Sequence, residues 1–242
     1  IVLADNPVFY WSFNETDGNA QDLVTGDPAN ALVPMNGASR GIVDSQLFLG
    51  NAAVFEGANQ GFLVEDMTGN VLEGSSYVIE FWYKGRPDPE NYNYILEFGA
   101  AGTPNRPTLY NDPGPADENT GVKPHPGAFR LLGNGPTGWG NTEGNTDFAI
   151  TDTLFHHVMI GFYADDTGAV VRIVGLIDGV QKTVDMGNYY MPLYLDQYLA
   201  VGNEYGMVAG YTGAIDELAI YDLGASMTSG DFDSAIDQFA TH

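Results

Sequence analysis

The sequence predicts an all-β sandwich closed by one C-terminal helix, and three observations carry that expectation. Aromatic residues make up 12% of the 242 residues, including 14 Tyr and 13 Phe, which favours strands. Gly (31) and Pro (13) are frequent, so turns are frequent. Apolar residues fall in short alternating runs, with no fixed-period repeat and no heptads. A hydrophobic fraction of 44% is enough for a sizeable core, and single β-sandwiches reach this length. One domain over 1–242 is therefore expected.

The elements follow in order. Val8 to Asn14 alternates Phe9, Trp11 and Phe13 against Tyr10, Ser12 and Asn14, and Pro7 sits where a missing N–H is tolerated. Glu15 to Asp27 is a turn-rich acidic loop holding Glu15, Asp17, Asp22 and Asp27. Hard cations take several oxygen ligands, but this spacing is not that of an EF-hand, so a site here needs completion from elsewhere. Residues 52–55 and 61–65 read as strands. Residues 77–84 put Tyr77, Ile79, Phe81 and Tyr83 on one face and Val78, Glu80, Trp82 and Lys84 on the other, with Trp82 in or beside the core.

After a strand at 93–98 the periodicity collapses. Residues 99–127 hold six of the 13 prolines and read as a Pro/Gly-rich insertion. A short strand at 128–132 interrupts it, and 133–141 reads as a second loop, with Trp139 flanked by glycines. Trp139 is either folded over that loop or exposed as a binding platform. Strands at 154–163, 169–177 and 180–184 follow, the last two joined at Asp178-Gly179. His156 and His157 are adjacent and so face opposite ways on a strand, which suits structural roles better than a shared metal. Residues 199–202 and 212–221 are the last strands. Thr228 to Phe239 reads as a helix, with Thr228 as N-cap and Phe232, Ala235, Ile236 and Phe239 as its apolar stripe.

Charge excludes some partners. With 32 acidic and 8 basic residues the net charge is -24, so neither nucleic acid nor an anionic membrane surface is an expected partner. Lys84, Arg86, Arg106, Lys123 and Arg130 fall in the middle, and no Lys or Arg follows Lys182. Cysteine is absent, which removes disulfides, thiolate metal sites and a cysteine nucleophile. No apolar run is long enough for a membrane-spanning helix. The chain opens on Ile1 with no visible signal peptide, and the expectation is a mature extracellular chain after signal removal.

Three strings then stand in order. They are Asp5 to Gly18, then Phe155-His156-His157-Val158 with Ile177-Asp178-Gly179, then Tyr211 to Tyr221 around Gly213-Ala214-Ile215-Asp216-Glu217-Leu218. Together they resemble the laminin-G-like, concanavalin A-like jelly-roll domains of bacterial and phage surface proteins, over nearly the whole chain. The family usually has Trp where Phe155 stands, and the insertion at 99–127 is not general to it. The resemblance implies a two-sheet antiparallel jelly-roll sandwich whose first and late strands are neighbours. It also implies a structural calcium near that junction, with Asp22 and Asp216 as the leading ligands and Glu15 and Asp17 as weaker ones.

For function, the glucanases of this superfamily carry Glu-x-Asp-x-x-Glu or Glu-x-Asp-x-Glu, which aligns carboxylates on one strand face. Neither spacing occurs. Asp216 and Glu217 are adjacent and are expected to face opposite sides. No His-Glu-x-x-His zinc motif is present, and the expectation is that there is no Gly-x-Ser-x-Gly nucleophile elbow either. A non-enzymatic extracellular carbohydrate-binding or adhesion module is the favoured reading, with a glycan or cell-surface polysaccharide as partner. Trp139, Tyr110, Tyr189 and Tyr190 are its candidate contacts. The alternative is a self-assembling homo-oligomeric subunit of a filament, sheath or surface layer. There the insertion would act as an arm, and Ile1-Val2-Leu3 would pair with a neighbour's sheet edge.

Overall fold

A computed structural model describes residues 2–41, 50–57, 59–65, 67, 71–72, 74–85, 93–99, 108–112, 128–135, 138–141, 148–150, 152–189, 193–194 and 198–241. The early strands are β1 (Phe9–Trp11), β2 (Val33–Met35), β3 (Ser39–Gly41), β4 (Ala52–Phe55), β5 (Gly61–Glu65) and β6 (Val71–Leu72). The middle strands are β7 (Ser76–Gly85), β8 (Asn93–Phe98), β9 (Thr108–Asp112), β10 (Ala128–Gly135) and β11 (Gly138–Asn141). The late strands are β12 (His156–Ala164), β13 (Val170–Ile177), β14 (Val180–Tyr189), β15 (Leu193–Tyr194), β16 (Tyr198–Val201) and β17 (Gly213–Gly224). Helix α1 (Ser229–Phe239) closes the chain.

Two antiparallel sheets make the sandwich. One runs β14-β13-β12-β7-β17-β4-β3, with β1 also paired to β17. The other runs β11-β10-β9-β8-β16-β5-β2. The neighbouring first and late strands are thus present, with Phe9 opposite Ile220 and Trp11 opposite Leu218. The core is where the inner faces meet. Ile79, Phe81, Val158, Ile160, Ile215 and Leu218 from one sheet pack with Phe62, Val64, Leu96, Phe98, Leu199 and Val201 from the other. Each such side chain stabilises the fold by roughly 1.5–3 kcal/mol through removal from water.

The outer face of the larger sheet is covered by α1. Phe232, Ile236 and Phe239 pack on Val78, Met159, Val174, Leu176 and Tyr221. Gly161 permits this approach, since a Cβ there would lie 2.4 Å from Ile236 Cδ1. Thr228 caps the helix as expected, its Oγ1 accepting the Asp231 N–H at 3.2 Å.

Four expectations are modified. The first strand is only Phe9–Trp11, because Phe13 turns into the left-handed region at φ 53°. The insertion holds a strand, β9, paired to β8 and β10; residues 100–107 and 113–127 lie outside the described residues. The supposed loop 133–141 is largely a β10–β11 hairpin, with Gly133 opposite Gly140 and Gly135 opposite Gly138. Val2–Asp5 forms a 3-10 turn whose Val2 packs against the cluster under α1, not a free strand waiting for a neighbour.

Candidate functional site

Asp216 lies in an acidic knot on the outer face of the larger sheet. Opposite β7, Asp216 pairs with Trp82 and Ala219 with Glu80, so β17 carries one extra residue. Glu217 takes φ 52° to accommodate it. This β-bulge overturns the expectation of opposite faces. Ile215 and Leu218 enter the core, while Asp216 and Glu217 both join Glu80 and Tyr10 on the outer side. The Tyr10 hydroxyl donates to Glu217. The Tyr221 hydroxyl donates to Glu80 at 2.5 Å, and His157 Nε2 lies 3.5 Å from Glu80 Oε2. Asp216 is 2% exposed and accepts one hydrogen bond, from the Glu217 N–H. Burial, then the Glu217 charge, pushes its carboxyl up to about 8. Burial also raises Glu217, ahead of the smaller opposing effect of the Tyr10 hydrogen bond.

The first loop is fastened differently. Asp22 accepts the Tyr10 N–H at 3.0 Å, the Val24 and Thr25 N–H groups and the Thr25 hydroxyl. Tyr10 is therefore gripped twice, by Asp22 on its backbone and by Glu217 on its hydroxyl. The cross-strand bond to β1 comes from Glu217, not Asp216. Glu15 Oε1 accepts the Gln21 N–H, and its Oε2 is buried without a hydrogen-bond partner. Asp17 is exposed. Arg40 donates to the carbonyls of Glu15 and Gly18 at 3.0 and 2.5 Å, so a guanidinium already sits on the loop's carbonyl oxygens. Calcium takes six to eight oxygens. Among the described residues no three acidic or histidine side chains converge in a metal-holding group. The structure does not bring Asp22, Asp216, Glu15 and Asp17 together as one such set.

The expectation that Gly-x-Ser-x-Gly is absent is corrected by the sequence itself, since Gly37-Ala38-Ser39-Arg40-Gly41 matches that spacing. Such an elbow sits at a sharp turn from strand to helix. Here Ser39–Gly41 is the edge strand β3, and Ser39 is exposed. Both described histidines contact carboxylates elsewhere. His156 lies 2.7 Å from Asp178 and 2.9 Å from Asp152, and His157 contacts Glu80.

The outer face of the seven-stranded sheet gathers a second set. Register places Tyr94 opposite Tyr110, and Tyr110 opposite Arg130. Cross-strand partners share a face. Leu96 and Leu109 are in the core, and a β-bulge between Tyr94 and Leu96 sets the half-buried Tyr94 on the outer side. Further along β10, Asn134 stands opposite Trp139. Tyr110 and Trp139 thus belong to one sheet, Trp139 at its far corner roughly 20 Å from Tyr94 by backbone spacing. Tyr189 ends β14 in the other sheet, opposite Val170. The side chains of Tyr110, Arg130, Asn134, Trp139 and Tyr189 are not among those described, and Tyr190 lies outside the described residues.

The loop 203–210 forms one wall of this face. Asn203 donates to the Gln60 carbonyl and accepts the Glu204 and Ala209 N–H groups. The Ala209 carbonyl accepts the Tyr94 N–H at 2.9 Å. Glu97 accepts the Tyr198 hydroxyl and the Tyr205 N–H, and Glu65 accepts the Tyr205 hydroxyl at 2.7 Å. Tyr94, Tyr205, Glu65 and Glu97 were missed from sequence because only the register and this loop bring them together. The alternation of 61–65 and 93–98 was the available signal.

No family profile and no curated protein sequence matches the chain. Solved structures do match. The binding domain of botulinum neurotoxin serotype D superposes with a TM-score of 0.61 at 11% identity, covering 97% of this chain and 52% of that one. Domain 4 of AbnA, an extracellular arabinanase from Geobacillus stearothermophilus solved with arabinotriose, gives 0.59 at 18%, covering 97% and 98%. Trypanosoma rangeli sialidase gives 0.57 at 13%, covering 95% and 32%. The chain therefore spans about half of the neurotoxin structure, a third of the sialidase and nearly all of the arabinanase domain. At these identities the likeness shows the fold, a two-sheet antiparallel β-sandwich.

Proposed function

We propose that this chain is a non-enzymatic, extracellular glycan-binding module of the laminin-G-like type. The observation that carries the proposal is the strand register that sets Tyr94, Tyr110 and Arg130 in one row, with Asn134 opposite Trp139 further along the same sheet. Aromatic rings offer one apolar platform for a sugar's C–H face, and amide and guanidinium groups offer donors for its hydroxyls. The match over nearly the whole of an arabinanase domain solved with arabinotriose supports the same reading. A net charge of -24 disfavours sialylated and uronate polymers, so the ligand is a neutral glycan. Asp216 and Glu80, two members of the acidic knot, are each 2% exposed, so neither is open to a polysaccharide. A neutral-glycan array with wild type and Tyr94→Ala tests this. Binding lost in the variant supports it, and binding at full strength in Tyr94→Ala rejects this face.

A further inference from the structure

The same sheet carries a separate cleft at its β2 edge. It has a volume of about 280 Å³ and lies between the 3-10 turn Pro28–Asn30 and strand β5. Pro28, Ala31, Val33, Met35 and Leu63 give it aliphatic walls, and Glu65 is the one charged residue of its lining among the described residues. The Tyr205 hydroxyl donates to Glu65 Oε1 at 2.7 Å, and Glu65 is exposed. Three properties narrow the occupant. The volume sits at the lower end for small-ligand pockets, which suits one ring and not a chain. Among the described residues no Lys or Arg lines it, and the carboxylate repels anions. Among the same residues no aromatic ring lines it to hold an organic cation by its π-face. An exposed carboxylate beside aliphatic walls suits a ring with hydroxyls on its edge and C–H groups on its face.

We propose that this cleft is a subsite for one ring of a neutral oligosaccharide, with Glu65 Oε2 accepting its hydroxyl hydrogens. The proposal rests on the glycan-binding reading and adds a second position to it. Tyr205 couples the two, because its loop walls the aromatic face while its hydroxyl fixes Glu65.

The test is a titration of protein carrying ¹³C-methyl methionine, read at Met35, with arabinotriose and a panel of neutral mono- and disaccharides. Glu65→Gln keeps the shape and weakens the acceptor. Ala29→Trp fills the cleft from an exposed position. The expected result is a saturable shift of the Met35 methyl. It should weaken at least tenfold in Glu65→Gln and vanish in Ala29→Trp, while both variants melt like the wild type. Full-strength glycan binding in both variants, with loss in Tyr94→Ala, overturns the cleft and leaves the aromatic face standing. No binding of any neutral glycan by the wild type overturns both. A Met35 shift with butylammonium chloride but not with sugars identifies an ammonium site and also overturns the proposal.

Discussion

Replacing Asp216 with asparagine is expected to stabilise the protein at neutral pH and to change nothing in acid. Asparagine keeps the acceptor oxygen that receives the Glu217 N–H. It removes a carboxyl whose ordinary value of 3.8 is raised to about 8, by burial first and the Glu217 charge second. The sign follows from linkage. A carboxyl raised in the folded state leaves stability intact below 3.8, and stability is lost as pH climbs toward the raised value. Between acid and pH 7 the loss is at most about 4 kcal/mol, from roughly 3 pH units at about 1.4 kcal/mol each. For a chain of this size that is on the order of 10 °C in Tm. Thermal melts of both proteins from pH 4 to 9 read the difference, in which the effects of the other carboxylates cancel. The gap in Tm should open from near zero at pH 4 to its full size by pH 8. A gap independent of pH, or an asparagine variant less stable at pH 7, would refute the reasoning and point to a cation on Asp216.

His156 bridges Asp152 and Asp178. Desolvation lowers its pKa, but the hydrogen bonds and charges of the two aspartates outweigh this and raise it. Its clasp therefore stabilises fully below the unfolded value near 6.5 and weakens as pH rises through the folded one. His156→Gln should cost about 0.5–1 kcal/mol at pH 5.5 and little at pH 8, read by urea melts. Gly202→Ala should cost about 1–3 kcal/mol or more, because Gly202 has φ 79° and its added Cβ would lie 2.2 Å from the Phe55 ring. Equilibrium unfolding measures it, and a neutral result would dispute the packing at that corner. Thr228→Ala should cost about 1 kcal/mol through loss of the helix cap. Arg40→Met should lower Tm by releasing the Glu15 and Gly18 carbonyls. A wild-type Tm that falls in chelator would show that a metal, and not Arg40 alone, ties the first loop.

The strands of the core were legible because Ile79, Phe81, Val158 and Ile160 alternate with residues that face the other way. The C-terminal helix was legible for the same reason, through its cap and its Phe232–Ile236–Phe239 stripe. The hairpin β10–β11 was not, because glycines contribute no side-chain period and read as loop. The relation of Asp216 to Glu217 was hidden as well. A bulge is a mismatch between two strands, and β17 shows it only against β7. Asp22 was singled out for its charge, yet its role as acceptor for the Tyr10 backbone depends on a loop closing onto β1. The row Tyr94, Tyr110 and Arg130 follows from the pairing of β8, β9 and β10, which no stretch of any one strand encodes.

The most direct test of the glycan-binding account is calorimetric titration of the wild type, Tyr94→Ala and Trp139→Ala with the strongest neutral glycan from an array, alongside sialylated and uronate controls. The account predicts saturable binding to the neutral glycan and none to the anionic ones. Each variant should lose at least tenfold in affinity with an unchanged Tm. Equal affinity in all three proteins, preference for an anionic glycan, or release of shortened glycan during the titration would contradict it.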